Sequence, residues 1–194
     1  MKIGIMGGTF NPPHIGHLHA ANEARAHLEL DKLILVPTSI PPHKEMPPGT
    51  PSALQRLDMT RIAAHHIGAD VSDVEINRAG PSYSADTLDY FAEKYPNDTR
   101  YFIIGTDMFM TIGDWYDPER IFSRARIAVV ARMAGDAERI EEHAKSLTAR
   151  GARVDIIPCR TVEISSTELR DGECDTKFLP SGVAEYIAAH GLYE

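Results

Sequence analysis

This sequence predicts an α/β fold: a single doubly wound, Rossmann-like parallel sheet with helices on both faces. Three observations predict it. Short apolar runs alternate along the chain with longer stretches whose apolar residues recur at helical spacing, the pattern of βαβ units. Nearly every apolar run is continuous rather than alternating, as expected of strands buried on both faces. The segments richest in glycine, proline, histidine and hydroxyl residues follow the carboxyl ends of predicted strands, where open α/β sheets hold ligands.

The elements follow in order. Residues 2–6, KIGIM, form a first strand. A helix over 14–30 carries Ile15, Leu18, Ala21, Ala24 and Leu28 at helical spacing. KLILVP, 32–37, is a second strand ended by proline. Residues 51–67 form a helix with Thr50 as its cap and Pro51 at its first position. ADVSDVEI, 69–76, is a weaker third strand, and a helix covers 84–95. RYFIIG, 100–105, and RIAVVA, 126–131, are strands, and a charged helix spans 136–150. RVDIIP, 153–158, is the last strand, SSTELR opens a short helix, and a final helix runs over about 180–190.

The length suits one domain covering 1–194. A formal charge of −8 argues against a nucleic-acid surface or an anionic-membrane surface, while leaving room for a local anion pocket. Two cysteines, Cys159 and Cys174, are too few for a disulfide scaffold and fit a reducing compartment. No apolar run approaches the ~20 residues of a membrane span. A cytoplasmic chain without a signal segment is therefore expected, with a homo-oligomer among the states the sequence allows.

GGTFNPPHIGH, 7–17, asks for a chemical explanation. Gly7 and Gly8 allow a sharp turn and close approach to a ligand. Amides near Gly8, Thr9 and Phe10 could face a phosphate, with the positive end of the following helix behind them. His14 and His17, on the first turn, could both donate to a phosphoryl group that gains charge during transfer. His-x-x-His is also half of a zinc site, but no third ligand has matching spacing, and ordinary packed histidines are the plain alternative. Gly16 between them favours a close approach, because glycine inside a helix is costly. In ISSTELR, 164–170, Ser165 and Glu168 have the spacing of a capping box, and Arg170 adds a forked cation one turn on. In IIGTDMF, 103–109, the strand end at Ile104 and Gly105 brings backbone near a ligand. Asp107 is read either as a ribose-hydroxyl acceptor or as a helix cap.

HIGH within the first stretch, paired with ISSTELR about 150 residues later, resembles the two signatures of the HIGH-type nucleotidylyltransferases. IPPHK (40–44), NRAGPSYSADTL (77–88), DWY (114–116) and the closing GLYE narrow the likeness to the bacterial nicotinate-nucleotide adenylyltransferases, from Met1 to Glu194. The resemblance implies AMP transfer from ATP to nicotinate mononucleotide, with magnesium accompanying ATP and no covalent enzyme intermediate. It implies catalytic roles for His14, His17 and Arg170. ATP contacts would come from Gly7, Gly8, Thr9, Phe10, Gly16, Ile104, Gly105, Asp107, Ser165 and Ser166. Trp115 would stack on the pyridine ring, amides at Ser84 and Tyr116 would hold the nicotinate carboxylate, and Lys44 would approach substrate phosphate. No protein ligand to metal is implied. The chain departs from the family pattern at Asn11, where aspartate is commoner, and at Ser84, often threonine. A phosphopantetheine adenylyltransferase shares both phosphate signatures but gives no reason for GPSYS with DWY. A non-catalytic nucleotide sensor is the rival from another class.

Overall fold

The computed structural model describes residues 1–42, 45–132, 137–160, 162, 164–172 and 175–193. The strands are β1 (Lys2–Gly8), β2 (Lys32–Pro37), β3 (Asp70–Val71), β4 (Thr99–Gly105), β5 (Arg126–Arg132) and β6 (Val154–Cys159). The helices are α1 (Ile15–Leu28), α2 (Ala53–His65), α3 (Ser84–Lys94), α4 (Thr106–Phe109), α5 (Pro118–Arg124), α6 (Ala137–Ala149), α7 (Ser166–Arg170) and α8 (Val183–Ala189). Short 3-10 turns cover Ile112–Asp114 and Thr176–Phe178.

The strands form one six-stranded sheet in the order β3-β2-β1-β4-β5-β6, with helices on both sides. The chain leaves β1 toward one edge and returns to β4, on the other side of β1, so the strand order reverses between β1 and β4. Those two strands pair in parallel, Lys2 beside Thr99 and Ile5 beside Phe102. The predicted α/β sheet is therefore present.

The chain packs as two compact units. One comprises Met1–Gly7, Ala20–Leu33 and Tyr83–Thr161. Its core is Ile3 and Ile5 of β1, Phe102 to Ile104 of β4, Ile127 and Val129 of β5, and the buried faces of α3 and α5 at Leu88, Phe91 and Phe122. Arg126 grips Asp155 through two bonds of 2.7 and 2.8 Å at the start of β5. The other unit comprises Gly8–His19, Ile34–Ser82 and Val162–Glu194. Its buried side chains include Leu35 and Val36 of β2, Leu57, Met59 and Ala63 of α2, and Val183 of α8. Tyr186 of α8 donates to the Asp58 carboxylate at 3.3 Å.

Several predicted boundaries move for identifiable reasons. The α2 helix starts at Ala53, not at Pro51. Ser52 is its cap: the Ser52 hydroxyl accepts the Gln55 amide while the Gln55 side chain accepts the Ser52 amide. β3 shrinks to two residues, Asp70 and Val71, and the Ser72 amide makes one further bond to the Leu35 carbonyl before the chain turns at Val74. β1 runs on through Gly7 and Gly8, so the glycines belong to the strand. The sharp turn falls on Phe10, whose φ is 48°. α5 was not anticipated, although Asp117 followed by Pro118 marks a start: the Asp117 carboxylate accepts the Arg120 amide at 3.3 Å.

Gly4 shows how tightly β1 is packed. A methyl group at Gly4 would collide with Leu30 and lie 2.9 Å from Ile103 Cδ1. Gly4→Ala is expected to lower unfolding stability by about 1–3 kcal/mol through overpacking, read as a reduced urea midpoint with an unchanged slope.

Candidate active site

Two groups of side chains carry chemistry, one in each packed unit. The first lies on the loop after β1 and on α7. His14 occupies the cap position of α1, its carbonyl accepting from the amides of His17 and Leu18. Three residues on, the His17 ring turns back and its Nδ1 accepts the His14 amide at 3.2 Å. The His-x-x-His spacing thus has a structural reason: His17 plays the part that glutamate takes in a capping box. With Nδ1 accepting, the neutral ring carries its proton on Nε2. The two imidazoles stack at 3.7 Å, and Phe10 meets His17 edge-on at 5.1 Å.

His14 is only 5% exposed, and among the described residues its Nδ1 has no hydrogen-bond partner. Burial pushes its pKa down to about 4, against a smaller opposing pull from the Glu168 carboxylate. His14 is therefore neutral at physiological pH. A Cβ on Gly16 would lie 2.9 Å from Ile164 Cγ2 and 3.0 Å from His14 Nδ1. The close approach anticipated at Gly16 is made by the second motif and by His14.

The second motif grips this loop. Ser166 donates its hydroxyl to the Pro12 carbonyl at 2.8 Å, and Arg170 Nη1 donates to the Asn11 carbonyl at 2.7 Å. Arg170 Nη2 reaches Thr167 Oγ1 at 3.0 Å, and two bonds do not exhaust a guanidinium's donors. The capping box anticipated at Ser165 forms, and it engages both polar groups of that residue. The Ser165 amide and hydroxyl bind the Glu168 carboxylate at 2.7 and 2.6 Å. The amides without an intrahelical acceptor in the first turn of α7 are consequently those of Ser166 and Thr167, not that of Ser165.

The second group lies in the other unit. Gly105 ends β4 and caps α4; Asp107 stands exposed in its first turn, so it is not the cap. Ile104 is buried, which leaves only its backbone for contact. Ser84 opens α3, whose cap residue Tyr83 supplies no side-chain bond to the helix start. Tyr83 and Tyr116 stack at 4.3 Å, with Tyr116 54% exposed. Trp115 is half-buried, edge-on to Phe102 at 6.3 Å, and its Nε1 donates to Thr111 Oγ1 at 3.2 Å. Arg120 joins Asp86 at 2.5 Å and Asp89 at 3.5 Å, offsetting the acidic charge in the first turn of α3. Lys44 lies outside the described residues, as does Cys174; Cys159 is buried and free.

Residues 5–172 match the cytidylyltransferase-like family. A protein of Syntrophotalea carbinolica named "Probable nicotinate-nucleotide adenylyltransferase" is 38% identical over 212 residues, spanning 100% of this chain and 97% of the relative. The chain belongs to the nicotinate-nucleotide adenylyltransferase family. A second member, from Exiguobacterium sibiricum, is 34% identical and spans 100% of this chain and 99% of its own. In fold, the chain is similar to a Plasmodium falciparum nicotinic acid mononucleotide adenylyltransferase complexed with NaAD, with a TM-score of 0.79, 20% identity, and coverage of 99% and 97%. No helix among the described residues is long and apolar enough to cross a membrane.

Two residues of this family member escaped the sequence-level assignment of roles. Tyr193, in the closing GLYE, donates its hydroxyl to Asn11 Oδ1 at 2.6 Å, and burial raises its pKa well above the usual phenol value. Asn11 thereby ties the first loop to the C-terminal segment, a tie that aspartate at this position could also accept. Arg56, inside α2, is buried beneath the same loop. Nothing in ALQRLDMTRIAAH sets Arg56 apart from the exposed Arg61 five residues on.

The depressed pKa of His14 has a defined sign. An unfolded chain takes up this proton near pH 6.5 and the folded one near pH 4. The contribution is whole above pH 6.5, falls as pH drops from 6.5 toward 4, and totals roughly 3 kcal/mol. His14→Gln is expected to flatten the stability profile across that window, measured by urea unfolding at a series of pH values. In the wild-type protein, the His14 ring proton should show no titration step in NMR spectra between pH 5.5 and 8.

Proposed function

We propose that this chain, as one nucleotidylyltransferase domain, joins ATP and nicotinate mononucleotide to give nicotinate adenine dinucleotide and pyrophosphate. The observation that carries the site assignment is the meeting of its two signatures: Ser166 and Arg170 bind carbonyls of the loop that ends in the stacked His14 and His17. Relatives matched over the full chain carry the activity in their names.

The substrate phosphate is already anionic at neutral pH, so its oxygen can attack the α-phosphorus of ATP without a general base. The new O–P bond forms as the bond from the α-phosphorus to the pyrophosphate oxygen breaks, in line, with no covalent enzyme intermediate. Catalysis is then positioning and charge stabilisation. His17, its Nδ1 committed to the His14 amide and its Nε2 donating, serves the α-phosphate; His14 and Thr9 support it. The amides where β1 ends, at Gly8, Thr9 and Phe10, receive phosphate oxygens, and Gly7 keeps the strand end open. Ser166 and Arg170, with the Thr167 amide, face the departing pyrophosphate; Ser165, expected there from the sequence, spends both its donors on Glu168 and holds the helix start instead. Because Arg170 and Ser166 also hold the loop, their contribution combines charge with positioning. The backbone at Ile104 and Gly105 borders the nucleoside, and Asp107 accepts from ribose hydroxyls. Lys44 adds charge toward substrate phosphate.

The donor set can be tested for magnesium. Among the described residues no three His, Cys, Asp or Glu side chains are grouped to hold a metal ion. Magnesium keeps much of its water and readily takes phosphate oxygens, so the residues present suit an ion that arrives with ATP. Such an ion would shield the charge of the triphosphate.

In the second group, the uncapped start of α3 at Ser84 and the amide at Tyr116 suit a carboxylate, which a helix N-terminus attracts. Trp115 offers a face for the pyridine ring. An anion bound by backbone donors favours the acid over its neutral amide analogue. The enzyme is also read as cytoplasmic, in keeping with its two cysteines.

Pyrophosphate release with nicotinate mononucleotide, nicotinamide mononucleotide and phosphopantetheine as alternative acceptors tests the assignment. The acid is expected to be preferred, and equal rates with phosphopantetheine would refute it. His17→Ala is expected to lower kcat by about 100-fold or more while ATP affinity changes less; near-normal turnover would remove His17 from the reacting centre. Trp115→Ala should raise the KM for the pyridine nucleotide by roughly tenfold with little change in the KM for ATP, measured in the same steady-state assay.

A further inference from the structure

Arg56 is the largest fully buried side chain, 2% exposed, and among the described residues no carboxylate forms an ion pair with it. A buried cation is expensive unless hydrogen bonds replace its water. Here only backbone carbonyls do so. Nη1 donates to the Thr9 carbonyl at 2.7 Å and to the Thr38 carbonyl at 2.6 Å. Nη2 donates to the Ser39 carbonyl at 3.1 Å and Nε to the Pro51 carbonyl at 3.4 Å. Thr9 follows β1, Thr38 and Ser39 follow β2, and Pro51 precedes α2, so one guanidinium ties three segments together. A direct bond of 2.9 Å from the Thr38 amide to the Gly8 carbonyl joins the first two again.

The direction of these bonds matters more than their number. A trans peptide points its carbonyl and its amide hydrogen to opposite sides. Holding the Gly8 carbonyl on Thr38 turns the Thr9 amide away from that contact. Holding the Thr9 carbonyl on Arg56 turns the Phe10 amide away from the guanidinium. Further on, the Asn11 and Pro12 carbonyls are held by Arg170 and Ser166, but prolines follow both and contribute no amide. The Thr9–Phe10 peptide is therefore where a buried side chain sets the direction of a loop N–H. The four carbonyls leave the guanidinium's charge in place, and it adds positive potential beneath that amide.

We propose that Arg56 is a positioning residue for adenylyl transfer, aiming the Phe10 amide at substrate phosphate and fixing Phe10 against the His17 ring. This rests on the function proposed above. Lysine could supply the charge but not a planar fork reaching three segments. The two ideas separate by experiment.

Wild-type, Arg56→Lys and Arg56→Ala proteins are assayed together with ATP and nicotinate mononucleotide, and their melting temperatures are recorded. The expected result is a kcat about 100-fold lower in Arg56→Ala, with the KM for nicotinate mononucleotide within about threefold of wild type. Arg56→Lys is expected to recover less than about a tenth of the lost turnover. Millimolar methylguanidine should raise kcat in Arg56→Ala and leave the wild type unchanged. Turnover within about threefold of wild type in folded Arg56→Ala overturns the proposal. So does full recovery in Arg56→Lys, since charge without the fork would then suffice. Should Arg56→Ala not fold, Arg56→Lys decides: a fall in kcat at an unchanged melting temperature supports positioning, and a fall in melting temperature at unchanged kcat overturns it. Hydrogen exchange at the Phe10 amide needs no catalysis. Faster exchange there in Arg56→Lys, with α8 unaltered, supports the role of Arg56 even if the wild type shows no transfer to nicotinate mononucleotide, a result that would sink only the proposed reaction. Unchanged exchange at Phe10 overturns the role itself.

Discussion

A backbone loop can offer its amide hydrogens to an anion only if its carbonyl oxygens are satisfied somewhere else. That constraint organises the segment from Gly8 to Pro13. Four of its carbonyls, those of Gly8, Thr9, Asn11 and Pro12, are taken up in turn by the Thr38 amide, the Arg56 guanidinium, the Arg170 guanidinium and the Ser166 hydroxyl. The donors come from the loop after β2, from α2 and from α7, far apart in the sequence. A loop held this way resists collapse onto its own carbonyls and keeps one electrostatic face. The rest of this packed unit is arranged to bring those donors within reach.

The charge pattern follows from the same requirement. The chain as a whole carries −8, yet the loop is surrounded by guanidinium groups and by imidazoles kept neutral or committed to hydrogen bonds. A neutral His14 is stable where it is because burial removes water from the charged form, while the Glu168 carboxylate only partly offsets that loss. In the other unit the opposite problem arises. Asp86 lies in the first turn of α3, close to helix amides suited to a carboxylate, and Arg120 neutralises it. Both units thus suppress the wrong sign of charge near a helix start, one by desolvation and one by pairing.

What the sequence disclosed, and what it hid, follows from range. The strands were legible because burial on both faces demands continuous apolar runs, and RYFIIG and RIAVVA admit little else. The α7 cap was legible because Ser165 and Glu168 satisfy each other within one turn. Boundaries moved where two local rules competed, as when Ser52 with Gln55 displaced Thr50 with Pro51 at the start of α2. The partners of Arg56, Arg170 and Tyr193 were hidden because each reaches a carbonyl or amide distant in sequence, and carbonyls leave no mark on residue identity. Gly16 was recognised as a place of close approach, but the group that approaches, Ile164, is fixed only by folding.

The bond between His17 Nδ1 and the His14 amide has one more consequence. A second proton on that ring would have to settle on Nδ1, setting donor against donor at the very start of α1. Charging the imidazole and unpinning the helix's opening turn are then one event. In the folded chain the same bond holds the ring in one orientation. Its rotational freedom is surrendered when the chain folds, not when substrate binds.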